Sequence, residues 1–239
     1  MSRLTGAVQL FPADLRADVA SPSTLRVGSL GIADDGTEYR WCKAGGTALV
    51  PGKLQQASAE DTAHQNLVTA AAAIGAETVT VTLGASALTA NKYAGGWIFI
   101  TITPGQGYRY SIKSHPAADA SADVVLTLEE PIAVALTTAS NADLVANPYS
   151  AIVVNPTTAT SAPVGAAIWA ITAAQFGWLG VKGPHSCLVD DQTITVGTNV
   201  SASNQAAGAI EPHTGVQALV GIALTGGATT DYCAVNINL

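Results

Sequence analysis

The four histidines, His64, His115, His185 and His213, are the first residues to test for chemistry. A metal site built on one element takes two of them at i, i+2 or i, i+4, and no two stand at those spacings. Each therefore reads as a loop or capping side chain. Two pairs of neighbouring acids, Glu129-Glu130 and Asp190-Asp191, hold the carboxylates that glycoside hydrolysis uses. Neighbours on a strand point to opposite faces, so neither pair forms a site by itself. Asp190-Asp191 also falls where a turn is expected. The sequence contains no G-x-S-x-G nucleophile elbow. Gly105-Gln106-Gly107 lacks the third glycine and the following helix of a phosphate cradle, and reads as a hairpin turn. Asp34-Asp35-Gly36 is too short for a calcium loop. Asn199-Val200-Ser201 is a glycosylation sequon with no secretion signal to give it meaning, and Pro156 blocks Asn155-Pro156-Thr157. No catalytic, cofactor-binding or metal-ligating residue is expected, no cofactor is implied, and the chain reads as a non-enzyme.

The remaining reactive side chains are Cys42, Cys187 and Cys233, which lie far apart in sequence and form no C-x-x-C pair. Buried free thiols in a chain made in a reducing cytosol are expected. Charged residues make up only 11% of the chain and the formal charge is −7. Nucleic-acid binding draws its affinity from cations that neutralise phosphates. The most basic stretch, Lys43 to Lys53, holds two charges in eleven residues, so neither nucleic acid nor an anionic membrane is expected as a partner. Ala162 to Val181 carries no charge, but its glycines and Gln175 favour strand–turn–strand over a bilayer helix. The N-terminus lacks the apolar core of a signal peptide.

Alanine (44 residues), threonine (26) and glycine (23) dominate, a mixture of small, β-tolerant side chains. The elements follow suit. Tyr39 and Trp41 alternate with Glu38, Arg40 and Lys43 after the turn Asp34-Asp35-Gly36, as in a half-buried hairpin strand. Thr78 to Leu83, Trp97 to Ile102, Tyr108 to Ile112 and Asp123 to Leu128 read as strands. So do Ala151 to Val154, Ala167 to Ile171, Phe176 to Val181, Gln192 to Val196, Val216 to Leu224 and Tyr232 to Leu239. A spacing near ten residues indicates a mainly β protein with antiparallel sandwich or barrel domains and little helix. Residues 57–72 are the best helix candidate, with a Ser58/Asp61 capping box but no apolar stripe. Residues 1–25, broken by Pro12 and Pro22, read as an extended N-terminal arm that docks on a neighbouring chain. Composition shifts divide the rest into an outer β domain made of 26–65 and 161–239, and an inserted β-barrel or sandwich domain, 66–160. Trp97, Trp169 and Trp178 are expected to pack in a core or an interface.

The segment Ile171-Thr172-Ala173-Ala174-Gln175-Phe176-Gly177-Trp178-Leu179-Gly180-Val181-Lys182-Gly183 resembles a strand–turn–strand pattern near the C-termini of tailed-bacteriophage virion structural proteins. It departs from that pattern at Phe176, where tyrosine is usual, and at Gly180, where glutamine is common. Val196 to Val200, Gly208 to Ile210, Val220 to Leu224 and Asp231 to Ile237 follow in the same order. Asp35 to Ala44 with Leu49 to Leu54 is similar to an N-terminal segment of these proteins. In the middle, Ala90 to Trp97, Gly107 to Ile112 and Ala146 to Tyr149 are similarly placed.

The resemblance implies a capsid decoration, or cement, protein that stabilises the assembled phage head. Its partners would be the major capsid protein and other copies of itself, commonly as a homotrimer. It would reside on the capsid surface of the virion after assembly in the host cytoplasm. The alternatives are a tail or head-fibre component that binds a host receptor, a virion-borne glycan hydrolase, and a non-viral β adhesin or surface-layer protein.

Overall fold

A computed structural model describes residues 6–21, 24–190 and 192–239. In chain order the strands are β1 (Val8–Leu10), β2 (Leu30–Ala33), β3 (Glu38–Lys43), β4 (Leu54–Gln56), β5 (Leu67–Val68), β6 (Thr78–Thr82), β7 (Trp97–Ile102), β8 (Arg109–Ser114), β9 (Asp123–Leu128), β10 (Asn141–Val145), β11 (Val153–Val154), β12 (Pro163–Ala167), β13 (Phe176–Leu188), β14 (Asn199–Ala202), β15 (Ile210–Pro212), β16 (Leu219–Ala223) and β17 (Tyr232–Asn238). The chain is mainly β, with antiparallel sheets of the sandwich and barrel class. Two compact units are present: Met1–Ala59 with Pro148–Leu239, and Glu60–Asn147. These boundaries fall earlier than the composition shifts near residues 66 and 160.

Glu60–Asn147 holds a six-stranded sheet in the order β5-β10-β7-β8-β9-β6. The Ala70 N–H donates to the Thr80 carbonyl at 2.8 Å and nearly closes the sheet into a barrel. Closure removes exposed strand edges. Every second residue points inward: Val79 and Val81, Ile98 and Ile100, Tyr110 and Ile112, Val124 and Leu126, Ala142 and Leu144 form one core. The period of two in these threonine-rich runs is the alternation that produces this lining.

The other unit holds an eleven-stranded sheet whose main path is β1-β2-β3-β13-β17-β16-β14-β15, with β4, β11 and β12 joined beside it. β13 pairs with β3 from Phe176 to Lys182 and with β17 from Lys182 to Leu188. Trp41 and Trp178 sit directly opposite each other in this register, with ring centroids 5.0 Å apart and Phe176 stacked alongside. That pairing nucleates a cluster with Leu10 and Tyr39.

Several expectations need correction. The arm docks on its own chain. β1 adds to β2 in parallel, Leu10 is buried in the tryptophan cluster, and Val19 bridges Phe176. Gly31 makes room for this, because a methyl there would overlap both Leu10 and Trp178. Met1 to Thr5 and Pro22 lie outside the described residues. Residues 57–72 form no α-helix. Thr62–His64 is a single 3-10 turn and β5 follows, because Leu67 belongs inside the barrel and no apolar stripe exists to support a longer helix. Ile168 to Ala170 leaves the sheet after β12 and Ile171 makes a single bridge with Leu49, while Gln192 to Val196 contributes one bridge, at Ile194, in place of a strand. Of the tryptophans, Trp178 is core at 4% exposure, Trp97 is half-buried under the Arg109 guanidinium, and Trp169 is 44% exposed.

Trp178→Ala removes the centre of the cluster and is expected to cost about 3–5 kcal/mol in chemical denaturation. Removing residues 1–21 strips Leu10 from the same core and should lower the denaturation midpoint. An unchanged midpoint would show that the arm contributes nothing to its own unit.

Candidate functional site

The densest polar cluster lies in Glu60–Asn147. Asp61 opens the 3-10 turn and its carboxylate accepts the Ala63 N–H at 3.2 Å. The turn carries His64 to complete burial. Its Nε2 faces the Ser86 carbonyl at 3.2 Å, and its Nδ1 lies 2.8 Å from the Tyr93 hydroxyl and 3.3 Å from Asp61. A carbonyl only accepts, so Nε2 carries a proton, and Nδ1 shares a hydrogen bond with the Tyr93 hydroxyl. Lys92 Nζ reaches Asp61 at 2.9 Å, and this bond holds the Asp61 carboxyl below its ordinary range. His115 Nε2 accepts the Tyr93 N–H at 3.0 Å while Nδ1 donates to the Pro116 carbonyl at 2.8 Å. Burial pushes the His115 imidazole below its ordinary value. Both rings thus tie loops together, as expected of loop histidines, but from positions far more buried than a capping role requires.

The acids serve turns. Asp35 accepts the Thr37 N–H, Asp18 the Thr172 N–H, Glu130 the Ser111 N–H and Asp143 the Asn66 N–H. Asp190 is buried. It accepts from the Gln192 N–H and from the Ser203 hydroxyl, each at 2.8 Å. Ser203 Oγ in turn accepts the N–H groups of Gln205 and Ala206. Asp190 is thereby a loop organiser. Asp191 lies outside the described residues. Glu129 and Glu130 follow the end of β9 and flank Ser111, whose carbonyl accepts the Glu129 N–H. Among the described residues, no group of three or more His, Cys, Asp or Glu side chains is placed to hold a metal ion.

Cys42, Cys187 and Cys233 are free and buried. Burial pushes the thiols of Cys42 and Cys187 up to about 12. The fold brings Cys187 and Cys233 opposite each other on β13 and β17, a proximity that their separation in sequence concealed.

His185 lies on β13, 6% exposed, with its ring over Gly180 and edge-on to Tyr39. Burial lowers its pKa. It borders an open cavity of about 510 Å³ whose lining includes Val50, Ile168, Pro184, Ser186 and Tyr232. Among the described residues, no carboxylate, lysine or arginine lines this cavity. Beside it, β13, β17 and β16 present an exposed face that is also almost uncharged. Among the described residues, no helix is long and apolar enough to cross a membrane, and Ala162 to Val181 supplies β12 and the start of β13.

No protein family, no curated protein and no solved structure matches this chain.

The two depressed histidines set a pH dependence. In the unfolded chain they titrate near 6.5, whereas in the fold they take up protons only at lower pH. The unfolded state therefore binds more protons as pH falls through 6.5, and stability drops. Denaturation midpoints should be level above about pH 7 and lower at about pH 5, with His115→Gln flattening part of the fall. A flat profile would exclude this linkage. A maleimide at about pH 8 should leave Cys42 and Cys187 unlabelled until the chain is denatured.

Proposed function

We propose that this chain is a non-enzymatic virion structural protein of a tailed bacteriophage. In this reading it is a capsid decoration, or cement, protein that stabilises the assembled head through subunit contacts. It contacts the major capsid protein and other copies of itself, as a homotrimer, on the outer surface of heads assembled in the host cytoplasm. One observation carries the reading. Three of the segments that bear the resemblance, Asp35 to Ala44, Phe176 to Gly183 and Asp231 to Ile237, lie far apart in sequence. They become β3, β13 and β17, consecutive strands of one sheet. Part of a pattern scattered through the sequence is thus gathered in one sheet, while Ala90 to Trp97 and Gly107 to Ile112 lie in the Glu60–Asn147 unit. The weak charge of the chain supports the same reading, because surfaces poor in Lys and Glu lose little side-chain entropy when covered.

The test is the number of copies in purified particles, measured by quantitative mass spectrometry against the major capsid protein. A fixed ratio close to that of the capsid lattice is expected. Heads lacking the protein should release packaged DNA at a lower temperature. A few copies per particle, with adsorption to the host lost and heads intact, would replace this reading with a receptor-binding fibre.

A further inference from the structure

The outer face of β13, β17 and β16 is built in registered rows. Pro184 pairs with Asn236, and Asn236 with Ile222. In the next row Ser186 pairs with Ala234, whose carbonyl accepts the Leu224 N–H. All six are exposed except Ala234, which is half-buried, and Tyr232, 51% exposed, closes the end of the face. The opposite face of the same strands, with Cys187, Cys233, Val235 and Ile237, is core. An antiparallel sheet with one face in the core usually turns a polar, charged face to water. Here that face is aliphatic, amide and hydroxyl. Its charge is Lys182 at one end, already 2.8 Å from Glu38. Asp231, the nearest acid in sequence, stands in the turn before β17.

We propose that this face is a contact surface covered by a second copy of this chain. Charge selects that occupant. Two copies at −7 each repel wherever acids oppose acids, whereas across this face no like charges meet apart from the paired lysine. Composition selects it as well. Ile222 and Leu224 complement their own kind, and the Asn236 amide both donates and accepts, so two copies satisfy each other. A charged partner would find nothing here to pair with. The cavity beside it, which shares Pro184, Ser186 and Tyr232 with the face, gives a side chain from the twin a recess to enter. The inference rests on the proposed self-association but assigns it a two-fold contact, since a face that meets its own equivalent closes a pair and not a trimer.

The experiment is sedimentation velocity on the full chain across a dilution series. The natural chain should sediment as a multiple of its own mass. The double variant Ile222→Glu with Leu224→Glu should sediment as a monomer, because two carboxylates from each copy would oppose their equivalents. Ile74→Glu, at an exposed site in Glu60–Asn147, should leave the oligomer intact. Near-ultraviolet circular dichroism checks that each variant is folded, and Asn236→Lys supplies an independent clash. A natural chain that is monomeric at every concentration, or a folded glutamate variant that keeps the oligomer, overturns the proposal. Heads lacking the protein separate this outcome from the cement reading. An oligomer that fails to bind them removes the cement reading and leaves this face standing. A monomer that coats them fully removes the face and leaves the cement reading.

Discussion

The large sheet depends on one strand. β13 runs for thirteen residues, well beyond the usual five or six, and joins strands drawn from both ends of the chain. Its first half pairs with β3 and also meets β12 at Leu179 and Gly180; its second half pairs with β17. The change of partner occurs at Lys182, next to a register shift and to Gly183 at φ +104°. A side chain at Gly183 would be strained by that backbone. At Gly180 the constraint is space, since the His185 ring lies where a Cβ would be. The glycines of this strand are thus the condition for one strand to serve three neighbours. The tryptophan pair then fixes its register, because a slip of one residue would turn Trp178 out of the core.

Much of this was legible in the sequence, and for a definite reason. Alternation specifies a strand when one face is buried, so Thr78–Thr82, Asp123–Leu128 and Glu38–Lys43 could be read almost to the residue. Asp34-Asp35-Gly36 gave the hairpin between β2 and β3 because Gly36 adopts φ +82° there. What failed was information that lives in pairing. Parallel addition of β1 to β2 leaves no local signature, so an arm that belongs to its own sheet looked like one meant for another chain. Residues 57–72 carry helix-forming alanines, and tertiary demand for Leu67 inside the barrel overrode that preference. The polar clusters were harder still. His64 and His115 stand 51 positions apart, and only the fold places Tyr93 between them, its hydroxyl on one ring and its amide on the other. No spacing rule searches for that arrangement.

The electrostatics follow from where the acids are used. Asp18, Asp35, Asp61, Asp143 and Asp190 each accept a backbone N–H at a turn or beside a strand end, and Glu130 accepts one within β8. Backbone donors at those points would otherwise go unmet. The hydrogen bonds from Thr172 and Thr37 hold the Asp18 and Asp35 carboxyls below their ordinary range, so these groups stay charged well into acid. The acids are thus held largely at turns and strand ends; charges such as Arg40, Lys113 and Asp143 do stand within strands, but the outer face of β13, β17 and β16 is left almost entirely to uncharged residues. A protein can in this way remain strongly acidic overall, which favours solubility, while keeping faces that another surface can cover without desolvating charge.

The same economy decides which part of the large sheet can associate. The barrel in Glu60–Asn147 removes most of its edges by near-closure, whereas the main path of the large sheet ends at β1 and β15. Open edges usually invite strand addition. Both ends are three residues long, and β15 finishes at Pro212, which has no N–H to offer a new strand. Gln9 of β1 is held to Asp34 by a side-chain hydrogen bond. Short, capped ends make extension by backbone pairing a poor route to assembly. The broad uncharged face of β13, β17 and β16 has no such guard. Contact through side chains on that face can close into a finite oligomer, whereas edge addition tends to propagate without limit.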